Sequence, residues 1–210
     1  MLNLKNFKFI LASASPRRKE LIGHLQLPFT ILTADIDEAS SHTGPDLFAL
    51  DIATQKGQAI VETLDKQENR FIVAADTVVS LEGKIFGKPK NEGEARDYLS
   101  QLSGKEHSVF TGVMMFIIVD GEIFQQGFVE ETRVTFNNIS DELMERYLVT
   151  KDSLDKAGAY GIQGPSLTFI SRVEGDYANV VGFPLSRFVN EAQVFFNAHI
   201  EKKDMWLNYF

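Results

Sequence analysis

Hydrophobic and polar positions along the chain follow two different periods. Short apolar runs at residues 7–11, 29–33 and 71–75 predict strands, and the last of these is apolar enough to be buried on both faces. Apolar residues spaced three and four apart predict helices over residues 15–25 and 46–64 and from Pro184 onward. Because strands and helices alternate in the first half, the pattern favours α/β layering.

Local capping signals predict where several helices begin. Ser15 followed by Pro16 is typical of an N-cap with proline at the first helical position. Asn91 precedes Glu94 by three residues, which predicts a capping box, and Ser140 is the expected cap of a further helix.

Two dipeptides predict tight β-hairpins. Glu82-Gly83 lies inside residues 78–86, and Asp120-Gly121 joins two long strands expected at 109–119 and 123–136. Residues 167–173 and 178–181 predict two more strands. We therefore expect an α/β fold with a mixed central sheet, flanking helices and two lobes around a cleft. One domain over residues 1–200 and a C-terminal surface tail over 201–210 complete this expectation.

Composition and charge exclude several classes of protein. Of the 210 residues, 44% are hydrophobic and 24% charged, as in soluble globular proteins, and no run of about 18 apolar residues predicts a membrane span. The absence of cysteine excludes disulfides, zinc–thiolate sites and thiol nucleophiles and fits a cytoplasmic protein. The N-terminal apolar stretch precedes an arginine pair, so it predicts a strand rather than a secretory signal. A net charge of −8 argues against a nucleic-acid partner.

The first turn of the first predicted helix carries Arg17, Arg18 and Lys19. Cations are disfavoured there because the helix dipole is positive at that end. A bound phosphate would remove the conflict, and the small residue Ser13 leaves room for one beside the backbone. A solvated basic patch behind an ordinary cap is the alternative.

Two further residues stand out against their surroundings. Lys56 lies on the apolar stripe of the helix over 46–64, so its side chain must snorkel, form a pair or point into a cleft. Asp76 directly follows the apolar strand at 71–75, where an acid can hold a metal ion or accept a proton from water, or merely cap a turn. Glu38 is a second candidate carboxylate, within a segment that also fits an ordinary acidic loop.

Two glycine-containing loops supply the remaining candidates. Gly87 and Pro89 predict a turn that presents Lys88, although turn lysines are usually only solvated. Residues 153–164 combine three glycines with Asp155, Lys156 and Gln163. The lysine could contact a phosphate, and the glutamine amide could recognise the edge of a base.

Taken in order, these motifs closely resemble the Maf family of nucleoside triphosphate pyrophosphatases, once described as septum-formation inhibitors. The resemblance runs from about residue 8 to residue 190 and rests on the strings LASASPRR, DIDE, AADTVV, GKPKN, HSVFTGV, DKAGAYGIQG and NVVGFPL. It implies a fold like that of inosine triphosphate pyrophosphatases, with a nucleotide cleft between two lobes. It also implies a reaction that yields a nucleoside monophosphate and pyrophosphate with Mg²⁺ or Mn²⁺, and a homodimer.

The resemblance assigns roles to individual positions. Asp76 matches the catalytic proton acceptor, and Arg17, Thr77 and Gln163 match positions that set substrate specificity. We further expect phosphate-binding and metal-binding groups in the cleft. The phosphate-binding candidates are Ser13, Arg18, Lys56, Lys88 and Lys156, and the metal-binding candidates are Glu38, Asp76 and Asp155.

Three motifs point to one branch of the family. SPRR, ADT and DKAGAYGIQG resemble the branch that acts on dTTP and UTP rather than the 7-methyl-GTP branch. Modified pyrimidine nucleotides are a further possible substrate. Phe183 stands where the family usually has leucine, a change expected to affect only packing. The alternative function is a nucleotide-binding regulator of cell division with little turnover.

Overall fold

The structure, a computed structural model, describes residues 7–200. The predicted C-terminal tail at 201–210 lies outside the described residues. The strands are β1 (Lys8–Ala12), β2 (Phe29–Leu32), β3 (Arg70–Leu81), β4 (Lys84–Phe86), β5 (Glu106–Val119), β6 (Glu122–Phe136) and β7 (Ile170–Glu174). The helices are α1 (Pro16–Gly23), α2 (Pro45–Thr63), α3 (Glu92–Leu102), α4 (Asp141–Val149), α5 (Tyr177–Val181) and α6 (Leu185–His199). Two 3-10 turns lie at Ala157–Ala159 and Pro165–Thr168.

The strands form one mixed sheet in the order β2-β1-β3-β5-β6-β7, with β4 paired to the end of β3. β1 runs parallel to both β2 and β3, whereas β3, β5 and β6 pair antiparallel in long ladders. The predicted mixed α/β fold is therefore confirmed. Among the described residues no helix is long and apolar enough to cross a membrane.

Alternation along the central strands divides the core between the two faces of the sheet. Phe71, Val73 and Ala75 face α1 and α6, while Ile72 and Ala74 face α2. Phe183, which replaces the usual leucine, is fully buried against the ring of Phe188, 5.0 Å between centroids.

A second hydrophobic cluster builds the other lobe. It joins the far ends of β3, β5 and β6 to α3 and α4, around Phe86, Leu99, Phe136 and Tyr147. Tyr160, from the loop after α4, packs into the same cluster. Because this cluster is separate from those under α2 and α6, the molecule has two lobes that share one sheet.

The predicted N-caps and hairpins are confirmed, but the capping box expected at Asn91 is incomplete, because the Glu94 carboxylate accepts from the backbone N–H of Lys90 and not from that of Asn91. The side chains of Ser15, Asn91 and Ser140 accept hydrogen bonds from backbone N–H groups in the first turns of α1, α3 and α4. Glu82-Gly83 and Asp120-Gly121 have positive φ at both positions, which is the type I′ geometry.

Two predictions of extended structure need correction. The strand expected at 71–75 continues to Leu81, because the ladder to β5 pairs Asp76 with Gly112 and Thr77 with Thr111. Asp76 therefore lies within β3 instead of following it.

The strand expected at 178–181 is wrong, since these residues form α5, with Asp176 as its N-cap. A short apolar run does not by itself distinguish a strand from a helical turn.

The prediction at 167–173 is correct only in its second half. A 3-10 turn ends at Thr168, and β7 begins at Ile170. Pro165 opens this turn, and its fixed φ favours the helical conformation at that point.

Candidate active site

A cleft of about 550 Å³ opens beside the middle of β3. Both β1 and β4 pair with the edge of β3 that faces away from β5. Pairing with β1 stops at Ala74, opposite Ala12, and pairing with β4 resumes only at Val79, opposite Phe86. The edge of β3 between them has no neighbouring strand, so side chains from both faces of the sheet reach the same space. Every predicted site residue lines this cleft: Ser13, Arg17, Arg18, Glu38, Lys56, Asp76, Thr77, Lys88, Asp155, Lys156 and Gln163.

Arg18 extends from the first turn of α1 across the end of β1. Its Nε donates to the carbonyl of Gly182 at 2.8 Å, and its Nη2 donates to Thr77 Oγ1 at 2.9 Å. Its Nη1 lies 3.3 Å from Ser13 Oγ. Burial lowers the pKa of the Arg18 guanidinium, and the nearby charges of Asp76 and Glu38 act in the opposite direction. Since these hydrogen-bond partners are neutral, the charge of Arg18 is left to act on the cleft.

Lys56 projects from α2 toward two carboxylates. Its Nζ lies 2.7 Å from Asp76 Oδ1 and 2.7 Å from Glu38 Oε1. The side chains of Lys56 and Asp76 are only 17% and 12% exposed, whereas that of Glu38 is 51% exposed. Burial alone would raise the pKa of the Glu38 carboxyl, but Lys56, Lys88 and Arg18 outweigh it and hold that pKa below its usual value.

Two glycines allow α2 to approach the sheet closely enough for these contacts. A Cβ on Gly57 would lie 2.3 Å from the ring of Phe116, and a Cβ on Gly112 would lie 2.4 Å from the backbone of Leu50. A side chain at Gly112 would displace the helix backbone, and one at Gly57 would displace either the helix or the Phe116 ring. The close packing therefore sets the distance between Lys56 and β3.

Thr77 lies on the opposite face of β3 from Asp76, is half-buried, and begins a chain of hydrogen bonds that continues into the core. Its Oγ1 is 2.9 Å from Thr111 Oγ1, which donates to the carbonyl of Asn179 at 3.3 Å. Asn179 is itself fully buried and donates to Val109 O and Thr132 Oγ1. This chain fixes the hydroxyl that accepts from Arg18.

The loop over residues 152–164 forms the opposite wall of the cleft. Arg17 Nη1 reaches across to Asp155 Oδ2 at 3.1 Å. Asp155 Oδ1 lies 2.7 Å from Lys156 Nζ. Burial would raise the pKa of the Asp155 carboxyl, but these two cations outweigh it and lower that pKa. One exposed carboxylate thus links the two sides of the cleft.

Tyr160 closes the inner end of this loop. Its hydroxyl lies 2.8 Å from Nε2 of His107, which is buried in β5. Lys88 lines the cleft from the turn after β4 and forms no ion pair or hydrogen bond with any residue between 7 and 200. Its charge is therefore available to a ligand.

The arrangement of the carboxylates limits how they could hold a metal ion. Within residues 7–200 no group of three or more His, Cys, Asp or Glu side chains is placed to hold a metal ion. Glu38 and Asp76 converge on Lys56, while the third expected ligand, Asp155, contacts Arg17 and Lys156 instead. Mg²⁺ is commonly held by one or two carboxylates together with substrate phosphates, so the Glu38–Asp76 pair fits such an ion.

Sequence reasoning assigned no role to three residues of this region. Asp152 lines the cleft beside Lys156, Tyr160 forms its inner wall, and Thr111 supports Thr77 from the neighbouring strand. The sequence does contain a signal for Asp152, since an acid four residues before a lysine is a common spacing for an ion pair. Nothing local to Thr111 indicates its partner, which depends on the pairing of β3 with β5.

The Maf-like protein family matches residues 8–195 of this chain. The chain belongs to the Maf family. All eleven predicted site residues lie inside the matched region, so the cleft is built entirely from the part of the chain that the Maf family shares.

The similarity to related proteins covers nearly the whole chain of this Maf protein. The dTTP/UTP pyrophosphatase of Bacillus cereus is 42% identical over 189 residues, which are 90% of this chain and 95% of that protein. The dTTP/UTP pyrophosphatase of Bacillus cytotoxicus is 41% identical over the same shares. Among solved structures, the Staphylococcus aureus Ham1 protein has a TM-score of 0.40 and 12% identity, over 61% of this chain and 72% of that one. A likeness at this level adds nothing to the assignment.

Proposed function

We propose that this Maf protein hydrolyses nucleoside triphosphates, with dTTP and UTP preferred, to a nucleoside monophosphate and pyrophosphate. The observation that carries the proposal is a single cleft in which a buried acid, Asp76, is surrounded by cations from separate elements. These cations are Arg17, Arg18, Lys56, Lys88 and Lys156. The names of the relatives in Bacillus support the choice of substrate.

The distribution of charge suits a triphosphate. The chain as a whole carries a net charge of −8, yet five cations line this cleft, and two of them, Arg17 and Arg18, lie at the N-terminus of α1. Backbone N–H groups and guanidinium groups both favour phosphate oxygens there. Neutralising the triphosphate removes the repulsion that an incoming water would otherwise meet.

Asp76 is the proposed proton acceptor for the water that attacks the α-phosphorus. Its side chain is 12% exposed and is held by Lys56 Nζ at 2.7 Å, so its position is defined before substrate binds. Glu38 and Asp76 would hold Mg²⁺ or Mn²⁺. Such an ion would supply charge neutralisation and polarise the leaving pyrophosphate.

Base selection is assigned to Gln163, with Arg17 and Thr77 as further specificity residues. The Gln163 side chain lies in the same cleft and carries both a donor and an acceptor. Uracil and thymine present O2, N3–H and O4 along one edge, which such an amide can match. A buried polar group left unpaired by a wrong base costs about 1–3 kcal/mol, or roughly 10- to 100-fold in discrimination.

The proposal is tested by incubating the purified protein with Mg²⁺ or Mn²⁺ and a panel of triphosphates. The panel holds dTTP, UTP, CTP, GTP, 7-methyl-GTP and modified pyrimidine nucleotides, and products are resolved as monophosphate, diphosphate and pyrophosphate. We expect monophosphate and pyrophosphate from dTTP and UTP. Tight binding without turnover of any nucleotide would contradict the proposal and favour the nucleotide-binding regulator. The cytoplasmic location and the homodimer stay predictions.

A further inference from the structure

Asp152 holds Lys156 in the cleft wall through two separate contacts. Its Nζ donates to the backbone carbonyl of Asp152 at 2.7 Å and to the carboxylate Oδ1 at 2.8 Å. The Lys156 side chain is 12% exposed and that of Asp152 is 23% exposed, so the pair is largely shielded from water. Shielding makes such an ion pair more geometrically defined than one on the surface.

Asp152 is in turn anchored to the core of the second lobe. The hydroxyl of Tyr147, on α4, lies 3.1 Å from Asp152 Oδ2 and 3.1 Å from the carbonyl of Ala159. Burial, together with the charge of Asp152, raises the pKa of the Tyr147 hydroxyl, so it remains a neutral donor. A series of hydrogen bonds from Tyr147 through Asp152 to Lys156 thus connects the hydrophobic core to a cation of the cleft.

Two glycines of the cleft loop leave the space that this pair occupies. A Cβ on Gly161 would lie 2.5 Å from Cδ of Lys156, and a Cβ on Gly164 would lie 3.0 Å from Oδ2 of Asp152. The lysine stem crosses directly over Gly161. Glycine is therefore needed at both positions of the AYGIQG string, because a side chain there would collide with Lys156 or Asp152.

The three hydrogens of the Lys156 ammonium have unequal partners. Two contacts go to Asp152, and the third goes to Asp155 Oδ1 at 2.7 Å. Asp155 is 62% exposed and is shared with Arg17. A phosphate oxygen entering the cleft can replace the exposed Asp155 contact while both Asp152 contacts remain.

We propose that Asp152 is a positioning residue that aims the Lys156 ammonium at the substrate phosphates. The inference rests on the proposed triphosphatase function and adds a residue to which no role has been assigned. Asp152 acts through Lys156 and does not itself touch the nucleotide. Without the Asp152 carboxylate, Lys156 keeps its positive charge, but its ammonium is no longer held in the position that binds phosphate.

The kinetic test uses Asp152→Asn, which preserves the shape of the side chain. We expect KM for dTTP to rise about tenfold, because a charge-assisted hydrogen bond that orients the lysine is lost. The value of kcat is expected to stay within about twofold, since the lost binding is shared by ground state and transition state. Tyr147→Phe, which keeps the ring, should shift KM in the same direction by a smaller factor.

A double-mutant cycle separates positioning from direct contact with substrate. In a Lys156→Met background, adding Asp152→Asn should leave KM unchanged, because there is no ammonium left to orient. A lowered or unchanged KM in the single variant would overturn the proposal. The same tenfold rise in the Lys156→Met background would overturn it too, because Asp152 would then act without Lys156.

A readout without turnover separates this proposal from the proposed function. The ligand-free protein is treated with limiting acetic anhydride, and acetylation of Lys156 is compared with that of Lys88 by mass spectrometry. Asp152→Asn should raise the relative labelling of Lys156 several-fold, because the carboxylate no longer holds its side chain against the cleft wall. Glu142→Gln, which breaks an exposed pair on α4, is the matched control and should change nothing.

Unchanged labelling in Asp152→Asn would overturn the positioning role even in an active enzyme. Increased labelling in a protein that hydrolyses no triphosphate would support positioning while the proposed function fails.

Discussion

Lys56 and Asp76 meet at 2.7 Å, which joins the middle of α2 to the middle of β3. The same ammonium lies 2.7 Å from Glu38, so one cation is shared between a buried and an exposed carboxylate. Loss of any one member changes the charge felt by the other two. The arrangement places one ammonium between the two carboxylates of the cleft.

Asp76→Asn should abolish most turnover and leave nucleotide binding largely intact. The amide keeps the shape of the side chain but cannot accept a proton, and general-base catalysis contributes about 10²–10⁴-fold to rate. Release of pyrophosphate from dTTP measures kcat, and calorimetry with a non-hydrolysable analogue measures binding. Glu62→Gln, on the exposed side of α2, is the matched control. A fully active Asp76→Asn enzyme would rule out this role.

Glu38 should contribute stability that depends on acid pH. Its pKa is lowered from the usual 4.5 mainly by Lys56 acting against burial. A carboxyl with a lowered pKa stabilises the fold above its unfolded pKa, and this stability is lost as the pH falls through the folded pKa. The free energy of unfolding in urea, compared between the natural protein and Glu38→Gln, should therefore differ at pH 7 and converge below about pH 4.5.

The size of this Glu38 effect is small because the side chain is half exposed. We expect a difference below about 1 kcal/mol at pH 7. In a Lys56→Met background the same comparison should show no such difference above pH 4.5. A difference that persists without Lys56 would contradict the pairing as its cause.

Gly57→Ala should destabilise the protein and reduce activity together. Its new methyl group would meet the ring of Phe116 at 2.3 Å, so either that ring or α2 must be displaced, and displacement of α2 would carry Lys56 away from Asp76. Overpacking of this kind costs about 1–3 kcal/mol, measurable by urea unfolding. Gly23→Ala is the matched control, because nothing lies within 4 Å of a Cβ there and the change should be neutral or slightly stabilising. Equal effects of the two substitutions would argue against close packing at Gly57.

His107 should make the protein less stable at mildly acid pH. Burial lowers its pKa from 6.5 to about 4, while its Nε2 stays paired with Tyr160 in the cleft wall. Between these two values the unfolded chain binds a proton that the folded protein does not, so stability falls by up to about 3 kcal/mol as the pH drops. Urea unfolding from pH 7 to pH 4 measures this slope.

His107→Gln should flatten that slope, although its stability at pH 7 is lower because the packing of the ring against Phe136 is lost. His24→Gln, at an exposed position after α1, should keep the slope of the natural protein. An unaltered slope in His107→Gln would show that another group controls the acid sensitivity.

Predictions from sequence succeeded where the determining forces are local. Side-chain caps at Ser15, Asn91 and Ser140 and the two type I′ turns follow from contacts within a few residues. They failed at 178–181, where a capped turn that ends at Gly182 prevails over an apolar run. The length of β3 was also missed, because its polar residues stay extended only through pairing with β5.

The sequence by itself determined the chemical groups available to this protein: a cationic helix start, a lysine on an apolar stripe, an acid directly after an apolar run and a glycine-rich loop. It also carried the family resemblance, since motif strings are read without a fold. Only the tertiary structure decided which groups meet. Arg17 and Asp155 are 138 positions apart, and Lys56 reaches Asp76 only because two glycines let α2 approach the sheet. Contacts between such distant positions depend on strand pairing and helix packing, and neither leaves a signal in the residues next to them.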